Sequence, residues 1–474
     1  MSSLDDMERA TVPGAITRGL LTAELTETLK LAVPIALTQL GQVGMMTTDL
    51  ALIGRLGAQA VAAAALAHTV FLIAFTVGLG LMSAVAPLAA QAFGARNPRL
   101  VRRALGVGLW AAVLISLPMM PLPLYGERIL LALNQSPVTA RFAQEYLSGL
   151  TWGIIPALWL LAIRGFMGAV NRPQPGLWIT LAALPANALL VYLLIHGEWG
   201  LPRMGLFGAG LATTIINFIM FVVSLWFAHA RRPFRKYHVL GRLWQFDWLL
   251  MRQLILIGAP ISVSFLLEFG IFAAAALLMG LISTNALASH QIALQVTAIL
   301  FMVPFGIGMA ATVRVGHAVG RKDAPAVRRA GLVAILLGIV LVSALTLAVF
   351  LARFAIGRFF LGQALDARGA VIDLTATLLM VGATFFVADG IQTVAAGALR
   401  GMNDTRIPLV FAAVSYWAIG FTTACWLAFW TELGAVGVWV GLSCGTAIYA
   451  FLLTTRFRRL AGQLRYPSII KEQA

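Results

Sequence analysis

Long apolar runs recur along this chain and limit its fold more than any other feature does. The 474 residues are 60% hydrophobic and only 11% charged, with a mean hydropathy of +0.90, whereas a soluble globular protein carries about 25% charged residues. A bilayer core needs about 20 apolar residues per helix, and runs of that length are too long for barrel strands. We therefore predict an all-α polytopic membrane protein with twelve transmembrane helices. The predicted helices 1 to 12 occupy residues 30–54, 60–92, 104–124, 140–168, 176–196, 204–228, 254–282, 286–318, 329–352, 371–399, 406–430 and 434–456.

The positive charges lie mostly on one side of this predicted topology. The chain has 34 Lys and Arg against 18 Asp and Glu, a net charge of +16. If both termini lie inside, the inner loops hold the clusters of Lys and Arg at 96–103, 231–252, 321–329 and 456–471. Because cytoplasmic loops carry an excess of Lys and Arg, we predict a multi-pass membrane protein with both termini in the cytoplasm. The basic character then reflects topology and contact with anionic membrane lipids, and we expect no nucleic acid partner.

The second half of the chain repeats the first. A shift of 226 residues aligns Pro34 with Pro260 and Gly80 with Gly306, and it matches FGARNPRLVRRA to VGRKDAPAVRRA without a gap. Six helices return the chain to the same side, so we predict two pseudo-symmetric six-helix lobes of the same orientation, an arrangement known in transporters that bind between their halves. The predicted parts are a cytoplasmic N-terminal segment (1–29), a first lobe (30–228), a basic cytoplasmic linker (229–253), a second lobe (254–456) and a cytoplasmic C-terminal tail (457–474).

Three of the eighteen acidic residues lie deep inside apolar runs: Asp49, Glu268 and Asp389. A carboxylate at the centre of a membrane helix costs roughly 2.5–3.5 kcal/mol on insertion scales, so it is usually kept for a function. Symmetry of the fold does not require these acids, because the repeat places other residues at the corresponding positions of the opposite half: Ala275, Gln42 and Pro156. The alternative is that they are protonated hydrogen-bond partners between helices.

The three acids suit the exchange of cations. Burial disfavours the charged form of a carboxylate, and a second acid nearby adds to this effect. Such groups can hold protons, or release them and bind Na⁺ or an organic cation instead, and competition for shared carboxylates can shift an equilibrium between two conformations. We therefore predict cation coupling at Glu268, Asp389 and Asp49, with Glu268 and Asp389 as candidate Na⁺ ligands.

Polar and aromatic neighbours within the predicted helices complete the candidate substrate site. With Asp49, the predicted substrate-binding residues are Gln42, Asn187, Gln291, Gln295, Phe265 and Phe385. Further polar residues in the spans are Gln39, His290 and Gln392. Aromatic faces attract cations. The alternative for each polar residue is a role in helix association, and for each aromatic residue it is ordinary packing or lipid contact.

Sequence motifs of enzymes are missing from the chain. There is no Walker A pattern, no serine in a G-x-S-x-G turn and no Cys/His cluster with metal-ligand spacing. We expect no enzymatic activity and no cofactor, so the energy for any transport must come from a coupling ion, H⁺ or Na⁺.

The chain resembles the multidrug and toxic compound extrusion (MATE) family over nearly its whole length. The resemblance is carried by LAVPIALTQLG, TTDLALIGRLG, FGARNPRLVRRA, LASHQIALQV, RVGHAVGRKD and DGIQTVAAGALRGMNDTRIP, and by the six-plus-six repeat. It implies two lobes around a central cleft and the export of organic cations and other amphipathic compounds in exchange for Na⁺ or H⁺. The acids are similar to those of the NorM-type branch, which implies that Asp49 acts in coupling and drug binding and that Glu268 and Asp389 form the second-lobe cation site.

Two residues depart from patterns of the family. Asn187 lies in the helix 5 region where the DinF-type branch uses an additional aspartate, so the chain differs from that branch. Phe385 stands one turn before Asp389, where some Na⁺-linked NorM-type members carry a tyrosine. The chain lacks that hydroxyl ligand, so both H⁺ and Na⁺ remain open as coupling ions.

We expect a monomeric antiporter that expels organic cations by rocking its two lobes around the site. The alternative is a flippase for a lipid-linked precursor, whose cavity would carry inward-pointing arginines for phosphate. Here Arg164, Arg314 and Arg400 all lie near the predicted cytoplasmic helix ends, which disfavours this alternative. A passive channel is disfavoured because no ring of charge or repeated carbonyl filter is visible.

Overall fold

The computed structural model describes residues 13–200, 202–241, 246–361 and 369–464, and these are almost entirely helical, with no β-strand among them. Parts of the predicted domain organisation lie outside the described residues: residues 1–12 of the N-terminal segment, 201 of the first lobe, 242–245 of the linker, 362–368 of the second lobe and 465–474 of the C-terminal tail. Within the described ranges, the chain forms twelve membrane-sized helical units, as the sequence predicts.

Ten helices are long and apolar enough to cross a membrane, and an eleventh span is a pair of helices bent by 47° at Trp152 and Gly153. The remaining unit is the first helix, 42 residues long, whose membrane part is interrupted by polar residues such as Gln39, Gln42 and Asp49. In chain order the units are α1 (Pro13–Gly54), α2 (Ala58–Gly94), α3 (Pro98–Leu124), α4 (Pro137–Thr151 with Ile154–Ala169), α5 (Gln174–His196), α6 (Gly205–Ala230), α7 (Trp248–Ile282), α8 (Thr284–Gly320), α9 (Ala324–Leu361), α10 (Gly369–Gly401), α11 (Arg406–Phe429) and α12 (Gly434–Gln463).

Two pseudo-symmetric lobes, α1–α6 and α7–α12, meet through helices that the repeat relates to each other. Gly80 of α2 packs against the backbone of Ser262 in α7, and Gly306 of α8 packs against Ala36 in α1. The same shift of 226 residues relates Gly80 to Gly306 and Ala36 to Ser262. Small residues let membrane helices approach closely. At both glycines the opposite helix is so near that a Cβ atom would overlap it. The lobe interface is therefore built twice from one sequence pattern.

The beginning of α1 and the end of α12 lie on the same side of the molecule, where Leu21 and Ala461 line one groove. We call this side the termini face, and the opposite side the distal face. Near the termini face, Arg314 of α8 makes two hydrogen bonds of 2.9 Å to the carboxylate of Glu24 in α1. His317 Nε2 lies 2.6 Å from the carbonyl oxygen of Ala169 at the end of α4. The two lobes are thus joined by polar contacts on this side.

Several helices begin earlier than the sequence predicts. The sequence predicts that helix 1 starts at residue 30, yet α1 starts at Pro13. The charged stretch before residue 30 packs against the second lobe, because Glu24 is buried against Arg314. Helix 7 was expected from residue 254, yet α7 starts at Trp248. There the side chain of Asp247 caps the helix by accepting a hydrogen bond of 3.2 Å from Leu250 N, as an N-cap aspartate does.

Candidate functional site

The second lobe brings two of the predicted acids onto one amide group. Asp389 and Gln392 are three residues apart on α10 and therefore lie on one face of the helix. Gln392 Nε2 donates hydrogen bonds to Asp389 Oδ1 at 3.0 Å and to Glu268 Oε1 of α7 at 3.3 Å. Asp389 is only 5% exposed, and Glu268 is half-buried. This pair with its bridging amide is the second-lobe acid site.

One cation and two phenols surround Glu268 in this site. Arg400 of α10 interacts electrostatically with Glu268, and its guanidinium carbon lies 4.9 Å from the ring centroid of Phe265. Tyr416 and Tyr449 are buried close to Glu268, with their ring centroids 5.1 Å apart. Glu268 therefore lies between one positive charge, that of Arg400, and the carboxylate of Asp389. The binding or release of a cation at this site can therefore accompany a change in the charge of the carboxylates.

A π-helical stretch of α11, Ala413–Phe421, places Tyr416 in this site. Trp417 of the same stretch donates its indole N–H to the carbonyl oxygen of Leu267, the residue before Glu268, at 3.2 Å. Gly270, one turn further along α7, leaves room for that indole ring. Local π-helical turns are frequent at functional sites because they re-aim side chains. The irregular stretch of α11 thus fixes the segment of α7 that carries Glu268.

The third acid forms a separate site in the first lobe. Asp49 of α1 is 6% exposed, and its two oxygens accept hydrogen bonds from different helices. Asn187 Nδ2 of α5 lies 2.5 Å from Asp49 Oδ1, and Thr213 Oγ1 of α6 lies 3.2 Å from Asp49 Oδ2. Tyr146 of α4 is close enough to interact electrostatically with the carboxylate. We call this the first-lobe acid site. Both hydrogen-bond partners are donors, an arrangement that suits a charged carboxylate.

The two acid sites lie at different depths. Asp49 is five residues from the end of α1, near the distal face. Glu268 is fourteen residues from the distal end of α7, which is about 20 Å at 1.5 Å per residue. No hydrogen bond joins the two acid sites among the described residues. The sequence singles out all three acids, and the fold pairs Glu268 with Asp389 while it leaves Asp49 in the other lobe.

The other predicted substrate-binding residues lie in varied surroundings. Gln42 is half-buried, whereas Gln291 and Gln295 of α8 are exposed. Phe265 lies under Arg400, as described above. Phe385 is only 1% exposed and packs edge-to-face against Phe272 and Trp439, with ring centroids 5.9 and 5.8 Å apart. A ligand could reach Phe385 only by displacing this packing. His290 Nδ1 accepts a hydrogen bond of 3.2 Å from the indole of Trp439.

The fold also creates a cavity that the sequence does not reveal. A cavity of about 90 Å³ lies between the lobes, bounded by α1, α2, α4, α5 and α8. Arg164 of α4 lines it together with Gln39 and Phe305, and none of the three acids does. Arg164, which the sequence predicts near a helix end, lies five residues before the end of α4, on the termini side. What the sequence could not show is that this position faces the second lobe.

The second-lobe acid site offers oxygen ligands to a small hard cation. Among the described residues no group of three or more His, Cys, Asp and Glu side chains comes together. A transported Na⁺ would instead meet the two carboxylates of Glu268 and Asp389, and oxygen donors suit hard cations. The residues present fit either a proton or such an ion.

The fold and the sites define the class of this chain: it is a membrane protein of two repeated six-helix lobes, each with an acid site. The MatE family model matches residues 34–193 and 260–426. A probable multidrug resistance protein NorM of Bradyrhizobium diazoefficiens is 64% identical over 98% of this chain and 100% of its own length. A second one, from Rhodopseudomonas palustris, is 59% identical over 92% of each chain. This chain therefore belongs to the MATE family of membrane transporters, and it is not an enzyme.

Solved structures support the fold independently of these sequence relatives. A eukaryotic MATE transporter superposes with a TM-score of 0.83 at 21% identity, over 94% of this chain and 99% of the other. A multidrug resistance MATE family transporter in an outward-facing conformation also has a TM-score of 0.83, at 18% identity, over 94% and 97% of the two chains. At such low identities the likeness concerns the fold, and it confirms the predicted architecture.

Proposed function

We propose that this chain is a secondary antiporter that exports cationic or amphipathic organic compounds in exchange for H⁺ or Na⁺. The observation that carries this proposal is the buried pair Glu268 and Asp389, joined by Gln392 in the second lobe. Structural symmetry does not require the pair, and intramembrane acids usually serve transport. The names of the NorM relatives as multidrug resistance proteins support the same function.

Coupling would arise from competition at the acid sites. An H⁺ or Na⁺ that arrives from outside occupies Glu268 and Asp389, while the organic cation uses Asp49 and the substrate residues Gln42, Asn187, Gln291, Gln295, Phe265 and Phe385. A ligand shifts a conformational equilibrium only by the difference in its affinity for the two states. Bound ion and bound substrate must therefore favour opposite states of the lobes.

The lobe contacts support an outward-open state. Polar contacts between the lobes run from the termini face, at Glu24 and Arg314, to the middle of the helices, where Ser262 Oγ donates to the carbonyl oxygen of Val77 at 2.7 Å. The positive-inside rule assigns the termini face to the cytoplasm. In our proposal the protein is a monomer of the bacterial inner membrane with both termini cytoplasmic, and its lobes span 30–228 and 254–456 on either side of the linker 229–253.

Reconstitution into liposomes tests this function. A fluorescent organic cation, the ethyl ester of rhodamine B, is followed under an imposed proton gradient and then under a Na⁺ gradient. Movement driven by one gradient alone would support antiport and identify the ion. The double variant Glu268→Gln, Asp389→Asn should abolish that movement. If the cation moves under neither gradient, drug export is wrong.

One observation favours a second function, the flipping of a lipid-linked precursor. The cavity between the lobes contains an arginine, Arg164, whose charge would suit a lipid phosphate. The other two intramembrane arginines are engaged by acids, Arg314 by Glu24 and Arg400 by Glu268. A fluorescent lipid that crosses the bilayer of the same liposomes would favour this alternative.

A further inference from the structure

The cavity between the lobes combines an apolar wall with one cationic side chain. Most of its lining is hydrophobic, including Met82, Phe305 and Met309. Its polar members other than Arg164 are Thr38, Ser83 and Gln39. The two hydroxyls are already used within their helices, since Thr38 donates to the carbonyl oxygen of Pro34 and Ser83 to that of Leu79. The cavity therefore suits an amphiphile with an apolar body and at least one charged group.

Arg164 lacks a counter-charge in this position. Its Nη2 donates to Thr180 Oγ1 at 2.7 Å, while Nε and Nη1 are buried with no hydrogen-bond partner. Thr180 donates its own proton to the carbonyl oxygen of Gly176 at 2.8 Å, so it offers Arg164 a neutral acceptor and no negative charge. Among the described residues no carboxylate forms an ion pair with Arg164. A buried charge without a partner is strongly unfavourable.

The other two intramembrane arginines show how this protein normally accommodates such a charge. Arg314 makes two hydrogen bonds to one carboxylate, that of Glu24. Arg400 lies near the carboxylate of Glu268 and above the ring of Phe265. Of the three, only Arg164 is left with neutral partners, the hydroxyl of Thr180 and the sulfur of Met220 at 4.0 Å, and only Arg164 lines the inter-lobe cavity. Because guanidinium groups bind oxyanions through two parallel N–H groups, the missing partner of Arg164 is an oxyanion.

We infer that Arg164 is an anion-recognition residue, and that the inter-lobe cavity binds amphiphiles that carry a carboxylate or phosphate beside their apolar body. This inference rests on the proposed export function and deepens it: Arg164 is the residue that holds the anionic group of such a substrate. Arg164 and Gln39 both line this cavity.

A matched pair of dyes tests the inference with the purified full-length protein. Rhodamine B carries a free carboxylate beside its cationic ring system, and its ethyl ester carries the cation alone. Fluorescence anisotropy gives the dissociation constant of each dye for the wild-type protein and for Arg164→Gln, Arg164→Lys and Arg128→Gln. Arg128 is an exposed arginine of the short helix Gly126–Ala132 and serves as the control for charge removal.

The expected result separates the two dyes. Arg164→Gln should weaken the binding of rhodamine B about tenfold, the usual scale for the loss of one charge-assisted hydrogen bond, and should leave the ester within about twofold, because the ester has no anion. Arg164→Lys should recover part of the loss, and Arg128→Gln should change neither dye. An equal loss for both dyes, or no loss for either, would overturn the inference.

A second ligand keeps the test independent of drug export and identifies the source of the oxyanion. Dodecyl phosphate presents a lipid-like phosphate, and its effect on the melting temperature is compared between the wild type and Arg164→Gln, with dodecyl maltoside as the uncharged reference. If the wild type binds neither dye, the export proposal fails. Stabilisation by dodecyl phosphate that depends on Arg164 would then still support the anion site, with a lipid as its ligand. If dodecyl phosphate has no such effect either, the anion site is wrong as well.

Discussion

Gly94 of α2 lies directly against the backbone carbonyl of His317 in α8, and this contact closes the termini face between the two lobes. The repeat-related glycine, Gly320, makes the same kind of contact with the carbonyl of Gln91. A Cβ at either position would overlap the opposite backbone, so both sites require glycine while the lobes are closed on this side. The pair is the most demanding steric feature of the proposed outward-open state.

Replacing these glycines should open the termini face. The double variant Gly94→Ala, Gly320→Ala places two methyl groups into the interface, and overpacking of this kind costs about 1–3 kcal/mol per site. We expect the population to shift toward a state in which the lobes separate on the termini side. Pulsed electron resonance between spin labels, one on each lobe, measures that separation.

Labels at the exposed positions Arg172 and Arg406 report on this distance, in a variant whose native cysteines, Cys425 and Cys444, are replaced by serine. Gly462→Ala is the matched control, because a Cβ there meets nothing within 4 Å. We expect longer distances between the two labels in the double glycine variant and unchanged distances in the control. An unchanged distance distribution would show that the two contacts do not hold the lobes together.

Neutralising Asp389 should uncouple transport without unfolding the second lobe. In Asp389→Asn the amide of Gln392 can still donate a hydrogen bond to the new side chain, so the packing remains. The charge that exchanges ions is lost, however, and we expect ion-driven dye movement in liposomes to fall by at least about tenfold, which corresponds to about 1.4 kcal/mol. Asp373→Asn, at an exposed position of the same helix, should leave transport unchanged. Equal transport by both variants would remove Asp389 from the coupling mechanism.

Much of this architecture could be predicted from the sequence because it depends on length and periodicity. The apolar runs identified twelve helical units, and the shift of 226 residues predicted the symmetric lobes that Gly80 and Gly306 now join. The deep position of Glu268 and Asp389 in apolar runs was visible for the same reason, since charges are rare there. These properties depend on local sequence, so they can be predicted from a single chain.

Other parts depend on tertiary packing and had no signal in the sequence. Tyr416 and Tyr449 reach Glu268 only because α11 contains a π-helical stretch and α12 packs beside it. The charged stretch around Glu24 resembled a solvated tail, because the sequence does not show that Arg314 lies opposite. Arg164 resembled a residue at a membrane surface, whereas its position beside the cavity is set by the second lobe.

Asp49 should determine the affinity for organic cations. The variant Asp49→Asn removes the negative charge of the first-lobe acid site, and we expect the ethyl ester of rhodamine B to bind about tenfold more weakly, or about 1.4 kcal/mol. Thr213→Val removes only one hydrogen bond to the same carboxylate and keeps the charge, so its effect should be smaller. Fluorescence anisotropy measures both affinities. If the two variants bind the dye equally well, the charge of Asp49 plays no part in recognition.

The ion pair between Glu24 and Arg314 should stabilise the closed termini face far more than a surface pair would. Both side chains are largely buried, and Glu24→Gln leaves the guanidinium of Arg314 without its anion, which costs about 3 kcal/mol or more. The melting temperature should therefore fall clearly. On the same helix, Glu27 and Lys30 form an exposed pair, so Glu27→Gln should cost less than about 1 kcal/mol.

A double-mutant cycle shows whether the loss comes from the pair itself. The variant that combines Glu24→Gln with Arg314→Gln no longer contains an unpaired charge, so its destabilisation should be smaller than the sum of the two single effects. Exchange of the two residues, Glu24→Arg with Arg314→Glu, should restore part of the stability, because the attraction across the lobes returns with reversed polarity. Additive losses in the cycle would mean that each residue acts through other contacts. In that case the helical extension of α1 would contribute packing to the termini face, while the bond between Glu24 and Arg314 would not hold the lobes together.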